Sequence, residues 1–281
     1  MPLVSLVEIL AEAEKGRYAV PAFNCYNAET VDAVFMAAEA SRSPVIVQVY
    51  NRLFHSNDAA NVASCTIAAA SKSKLPVALH LDHGAGEMEA LRAIRLGFTS
   101  VMIDGSELDF EANIEKTAAI TRLAAHVGVS VEAELGHVGR ADQEMDRSAF
   151  TDPDRAAEFV SRTLVDALAV MVGSAHGTYK VEPRLDIARI AAIKAKIGIP
   201  LVLHGGSGIP DAEIRAAVAA GIRKINVATD VCQAFYSAFR GLPADDPAFS
   251  TPLDIFMKTV KEKLSSFMAD RIAVFGSGGR A

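Results

Sequence analysis

The chain alternates short, β-rich apolar runs with longer Ala-rich segments of helical spacing, and it repeats that alternation eight times. The runs predicted as strands are Ala19–Phe23, Val45–Val49, Val77–Leu81, Ser100–Ile103, Ser130–Ala133, Ala167–Val172, Leu201–Leu203 and Ile222–Val227. Between them, segments such as Ala28–Ser41, Ala60–Ser73, Phe110–His126 and Asp211–Ala220 have the period of a helix. Strands separated by helices pair in parallel through right-handed crossovers. Near-continuous Val, Ile and Leu runs suit strands buried on both faces. Eight such units predict an α/β fold closed as a (β/α)8 TIM barrel, with an open doubly wound sheet as the rival.

The 281 residues match one barrel of about 250 residues. No Pro/Gly/Ser-rich linker divides them, so residues 1–281 read as one domain. A last helical stretch, Thr251–Met268, lies beyond the eighth unit, on the outside of the barrel or against a second subunit. The Gly-rich end, Phe275 to Ala281, reads as loose.

Composition narrows the function classes. The net charge of −6 is dispersed, without the clustered Lys and Arg that a nucleic-acid backbone requires. A phosphorylated small molecule needs only a few backbone N–H groups and one cation. Cys25, Cys65 and Cys232 are far apart and odd in number, which suits free thiols in a reducing cytoplasm. No signal-peptide pattern opens the chain, and no apolar stretch approaches the ~18 residues of a membrane span. The expected setting is cytoplasmic, with no membrane or nucleic-acid partner.

The informative residues stand where the strands end, at the barrel face that carries active sites. They are Asn24, Asp82-His83, Asp104, Glu134, His176, His204 and Thr229-Asp230. His83, His176 and His204 follow the third, sixth and seventh strands, and three imidazoles with an open fourth position make a catalytic zinc arrangement. Asp82 is placed either to move a substrate proton or to orient a histidine ligand. Asp104 and Glu134 form a second cation site, orient histidines or cap loops. His80 is assigned to packing inside its strand, His55 and His126 to the surface, and His137 to the surface near the mouth.

Two loops carry phosphate signals. His204-Gly-Gly-Ser-Gly208 joins the seventh strand to a helix, and Asn226-Val-Ala-Thr-Asp230 ends the eighth. Glycines let backbone N–H groups approach an anion, and barrels often place phosphate beside these two loops. Neither a Walker A pattern nor a dinucleotide fingerprint is present.

Seven ordered blocks then resemble class II fructose-bisphosphate aldolases and their relatives acting on tagatose bisphosphate. They are Pro21-Ala-Phe-Asn24, Leu79-His-Leu-Asp-His-Gly84, Ser100-Val-Met-Ile-Asp-Gly-Ser106, Ser130-Val-Glu-Ala-Glu-Leu-Gly136, Gly173-Ser-Ala-His-Gly-Thr-Tyr-Lys180, Leu201-Val-Leu-His-Gly-Gly-Ser-Gly208 and Lys224-Ile-Asn-Val-Ala-Thr-Asp230. The resemblance implies a metal-dependent aldolase that splits a ketose phosphate into dihydroxyacetone phosphate and an aldehyde. It implies zinc on His83, His176 and His204, a second divalent or monovalent cation at Asp104 and Glu134, and Asp82 as the acid/base. It implies a dihydroxyacetone phosphate site at Gly177, Gly205, Gly206, Ser207, Asn226 and Thr229, with Ala228 in the same segment, and Asn24 as a further substrate-binding residue. Lys180 either counters phosphate charge or lies on the surface. Such barrels are usually homodimers or homotetramers, and Arg271 either reaches a neighbour's site or makes a surface salt bridge.

Two stretches depart from the family pattern. The loop that carries a second acid reads Gly139-Arg-Ala-Asp-Gln-Glu-Met145, which leaves Asp142 or Glu144 for that role. Tyr50 stands where relatives carry a small Ser or Thr, with Arg52 beside it, in the region that faces the aldehyde half. Either this points to a different acceptor aldehyde, or Tyr50 packs under the loop. The competing readings are a Schiff-base aldolase using Lys224, which lies at the wrong end of its strand, and a non-catalytic sugar-phosphate binder.

Overall fold

The computed structural model describes residues 3–141, 149–240 and 252–281. Eight parallel strands follow one another around a closed barrel. They are β1 (Val20–Asn24), β2 (Val45–Tyr50), β3 (Val77–Gly84), β4 (Ser100–Ile103), β5 (Ser130–Leu135), β6 (Ala167–Val170), β7 (Leu201–Leu203) and β8 (Ile222–Val227). β8 pairs with β1 (Val20 beside Lys224, Phe23 beside Val227), so the open-sheet alternative is excluded and no edge is left bare among the described strands. The crossovers are α2 (Ala28–Ser41), α3 (Asp58–Lys72), α4 (Glu87–Arg95), α5 (Phe110–Ala125), α6 (Pro153–Thr163), α7 (Ile187–Lys196) and α8 (Asp211–Ala220). α1 (Leu6–Gly16) precedes the barrel, and α9 (Thr229–Arg240) and α10 (Leu253–Phe275) follow it.

Alternation along each strand sorts side chains into two environments. Outward residues such as Val47, Leu79, Val101, Val131, Leu168, Leu203 and Val227 join one apolar core with the surrounding helices. Inward residues form a second, smaller core at the start of the strands, where Val20, Ala22, Ile46, Ala78, Ala167 and Val202 meet Leu6, Ile9 and Leu10 of α1. A capping box at Ser5 and Glu8 starts α1, which thereby plugs the lower end of the barrel. One residue pair higher, the interior is polar: Gln48 lies beside His80, His80 beside Ser100, and Met102 beside Glu132. The chain thus builds a dry floor, a polar middle and an open mouth.

α10 packs against α2 and α9 through Val260, Leu264, Met268 and Ile272, and Lys261 pairs with Asp32 of α2 at 2.9 Å. It therefore runs on the outside of the barrel and extends to Phe275, beyond the predicted Met268. The glycine-rich end is not loose. Gly276 caps α10 in the left-handed region (φ 75°), and buried Ser277 accepts a hydrogen bond from the Ser43 hydroxyl at 2.9 Å. Gly279 N–H donates to the Ser41 carbonyl at 2.9 Å and Ala281 N–H to that of Arg42 at 3.1 Å. Glycine here supplies the turn rather than freedom. Each such bond is worth about 1 kcal/mol net, so deleting residues 277–281 is expected to lower the melting temperature by about 5 °C. Differential scanning calorimetry checks this, and an unchanged midpoint would return the tail to the status of an appendage. No helix among the described residues is long and apolar enough to cross a membrane.

Candidate active site

Strand β3 does most to build the mouth. Its ladder slips between Leu81 and Gly84, and His83 takes a left-handed backbone (φ 53°), which is uncommon for a residue with a side chain. The slip turns Asp82 and His83 toward the mouth together. Strained backbone of this kind persists where the surroundings over-determine it. His204, directly after β7, and His176, in the loop after β6, complete a triangle. Ring centroids lie 4.7 Å (His83–His204), 5.0 Å (His83–His176) and 5.8 Å (His176–His204) apart. His83 Nε2 and His204 Nδ1 are separated by 3.1 Å. One nitrogen from each ring falls within 4.8 Å of the others, and a second group of the same size joins His83, Asp104 and Glu134.

The electrostatics show what this cluster lacks. Burial lowers the His83 pKa, yet the carboxylates of Asp82, Asp104 and Glu134 outweigh it and raise the value to about 9. Burial, then the positive His83, brings His176 down to about 4 and holds His204 well below the usual imidazole range. Burial opposes ionisation of Asp104, but hydrogen bonds from His83 (2.7 Å) and Ser106 hold its pKa far below normal. Glu134 is pushed by burial up to about 8. Meanwhile His176 Nε2 is buried without a hydrogen-bond partner among the described residues. Glu134 Oε2 sits 3.3 Å from His204 Nδ1 yet outside hydrogen-bond geometry. A buried imidazole nitrogen and a buried carboxylate oxygen without hydrogen bonds, in clusters of nitrogen and carboxylate ligands, fit a divalent ion such as zinc.

Asp82 lies beside the triangle, its Oδ1 3.9 Å from His83 Nε2. Two amides clamp it: Asn24 Nδ2 donates to Oδ2 at 2.8 Å and Asn226 Nδ2 to Oδ1 at 3.3 Å. Each amide is oriented in turn, Asn24 by Gln48 Nε2 (2.7 Å) and Asn226 by Lys224 Nζ (2.7 Å). Gly177, Gly205, Ser207, Ala228 and Thr229 line a small inner recess of about 60 Å³ next to Asp82 and the histidines. At Gly205 (φ 63°) an added Cβ would stand 2.3 Å from the Ala175 carbonyl, and at Gly206 2.5 Å from Ile225. The loop closes this tightly only because it has no side chains there. Tyr179 was not anticipated from the sequence. Its hydroxyl accepts from Ala175 N–H (2.7 Å) and donates to the Gly205 carbonyl (3.0 Å), tying the loops after β6 and β7 together.

The recess opens into a cleft of about 870 Å³. Tyr50 and Arg52 line it, the Tyr50 ring 5.7 Å from His83 and the Arg52 guanidinium 4.9 Å over Tyr50. His137, assigned to the surface, is half-exposed on the same wall, with Nδ1 3.0 Å from the Ser106 hydroxyl. Lys180 is exposed and lines neither cavity, and His55 and His126 are exposed. Arg271 pairs with Asp211 at 2.9 Å within the chain. His80 is fully buried, 2.8 Å from the Ser100 hydroxyl. Asp142 and Glu144 lie outside the described residues. Lys224 is sealed in the interior against Glu132 at 3.0 Å, so it is no amine at the mouth.

A family model described as class-II fructose-bisphosphate aldolase matches residues 4–280. The chain belongs to the class II fructose-bisphosphate aldolase family. It is an aldolase, a carbon–carbon lyase, and the binder without catalysis is set aside. A fructose-bisphosphate aldolase of Geobacillus stearothermophilus is 41% identical, covering 100% of this chain and 99% of the relative. A sulfofructosephosphate aldolase of Alkalicoccus urumqiensis is 37% identical, covering 100% and 99%. The crystal structure of the YdjI aldolase from Escherichia coli K12 superposes with a TM-score of 0.89 at 35% identity, covering 99% of each chain. Class II aldolases depend on a metal ion, which agrees with the donor sets found here.

Proposed function

We propose that this aldolase splits a ketose phosphate with an anionic group on its aldehyde half into dihydroxyacetone phosphate and that aldehyde. The observation that carries the reading is the convergence of three imidazoles beside a carboxylate clamped by two amides. His83, His176 and His204 hold the catalytic zinc, and Asp104 and Glu134 serve a second cation. Zinc supplies Lewis-acid stabilisation of the negative charge that grows on the dihydroxyacetone phosphate fragment. Asp82 takes the hydroxyl proton as the carbon–carbon bond breaks, and the asparagine clamps keep it an acceptor aimed at that hydroxyl. Asn24, Gly177, Gly205, Gly206, Ser207, Asn226, Ala228 and Thr229 bind the dihydroxyacetone phosphate half, its phosphate meeting backbone N–H groups of the loops after β7 and β8. Asp142 or Glu144 protonates the resulting enediolate carbon. Residues 1–281 act as one unit, in a cytoplasmic homodimer or homotetramer.

The anionic aldehyde follows from Arg52. It has no carboxylate partner among the described residues, and it lines the outer cleft but not the inner recess, its guanidinium over the Tyr50 ring. A charge-assisted hydrogen bond is worth about 1.5–3 kcal/mol. Arg52→Ala is therefore expected to raise KM for ketose bisphosphates about 10–100-fold and leave ketose 1-monophosphates nearly unchanged. A panel of ketose mono- and bisphosphates and a sulfonated ketose phosphate, assayed for dihydroxyacetone phosphate release with zinc present, tests both claims. Equal loss on every substrate would place Arg52 outside recognition.

A further inference from the structure

Beneath the mouth, the interior holds a buried charged pair that the chemistry above does not use. Glu132 of β5 and Lys224 of β8 are both fully buried, with Lys224 Nζ 3.0 Å from Glu132 Oε2 and 3.3 Å from Oε1. The residues beneath them are small or aliphatic: Val20, Ala22, Ile46, Ala78, Ala167 and Val202. Replacing a buried ion pair by hydrophobic residues of similar volume is often neutral or stabilising. Fold stability alone is therefore a weak reason for charges at this level.

Both charged groups point upward into the site. Glu132 Oε1 lies 2.9 Å from His204 Nε2. A carboxylate paired with an ammonium can only accept, so that nitrogen must carry its hydrogen. The opposite nitrogen, Nδ1, then has a free lone pair, and it is Nδ1 that lies 3.1 Å from His83 Nε2. Lys224 Nζ donates to Asn226 Oδ1 at 2.7 Å. An ammonium can only donate, so the amide must turn its oxygen down and its NH2 up, toward Asp82 Oδ1 at 3.3 Å.

We propose that the Glu132–Lys224 pair is a positioning pair. Glu132 fixes the tautomer of His204 that leaves Nδ1 open for the metal, and Lys224 fixes the amide face that Asn226 shows to Asp82. One buried pair thus aligns a metal ligand and the acid/base at once, without touching substrate. Closure of the barrel makes this possible, because β5 and β8 are not hydrogen-bonded neighbours and meet only across its interior. The proposal rests on the reading that His204 is a metal ligand and Asp82 the base.

The decisive variant removes both charges together, Glu132→Leu with Lys224→Met. It is expected to fold, with a melting temperature at or above that of the parent by circular dichroism. Its zinc affinity, measured by competition with a chromogenic chelator without substrate, is expected to fall about 10–100-fold. At saturating zinc, kcat is expected to fall by about tenfold or more while KM moves little. Parental zinc affinity and kcat in a folded variant would overturn the proposal. If the variant does not fold, the unmodified enzyme decides. Selective 15N-histidine labelling reads the His204 tautomer directly, with Nε2 protonated and Nδ1 bare expected, and the reverse tautomer overturns the assignment. Parent enzyme that binds no zinc would instead overturn the metal reading, so the two failures are distinct.

Discussion

Stripped of divalent metal by dipicolinate, the enzyme is expected to lose retro-aldol activity by about a thousandfold or more and to regain it with zinc or cobalt. Several kcal/mol of charge stabilisation disappear with a Lewis acid, and every 1.4 kcal/mol is a factor of ten. Neither Lys224 nor Arg52 is placed to replace that charge. Lys224, the amine that a Schiff-base route requires, is sealed in the interior against Glu132 and Asn226. Arg52 stands over Tyr50 in the outer cleft and does not line the inner recess. Borohydride added with substrate is accordingly expected to trap no adduct. His204→Ala is expected to reproduce the chelator's effect in a form that added zinc does not rescue at stoichiometric concentration. Dihydroxyacetone phosphate release, coupled to its reduction and followed by absorbance, measures all three. Activity that survives metal removal would sink the reading of the histidine triangle.

Much of this arrangement was legible in the chain because barrel closure converts position along a strand into position in space. Ser100–Ile103, Leu201–Leu203 and Ile222–Val227 have the limits their apolar runs suggest. β3 outruns its apolar stretch, since pairing continues through the slipped segment to Gly84 while the side chains turn polar. β6 stops at Val170, two residues short of its run. Met171 and Val172 hydrogen-bond instead to the loop residues Thr151 and Asp186. The tail reads as loose because a Gly-Ser-Gly-Gly string offers almost no side chains as anchors, and what holds it, besides the Ser277 hydroxyl, is its N–H groups meeting the end of α2. Glu132 is a different case. Its signal was present, a polar residue at every second position of Ser130-Val-Glu132-Ala-Glu134, which marks an inward face. What the sequence withheld was the partner: Lys224 lies on a strand that β5 does not touch along its ladder. Register around a closed sheet, not local pattern, brings the two together.

Asp82→Asn carries the second large effect. The carboxylate receives NH2 groups from Asn24 and Asn226, one on each oxygen. An amide in its place has one oxygen and one NH2, so one clamp must face a donor with a donor and give way. It also cannot accept a substrate proton near neutral pH. General acid–base catalysis contributes about 10²–10⁴-fold, and kcat is expected to fall within that range. The histidine triangle does not include Asp82, so zinc content is expected to stay at the parental stoichiometry. KM is expected to move only a few-fold, because the inner recess is formed largely by the loops after β6, β7 and β8. Steady-state kinetics, with zinc determined on the same preparation, separates the possibilities. Loss of zinc in parallel with kcat would make Asp82 a ligand, and retained kcat would give the proton to another group. A fall in kcat alone leaves one arrangement standing. In that arrangement the carboxylate moves the proton, and the amides held by Gln48 and Lys224 keep it aimed at the hydroxyl that releases it.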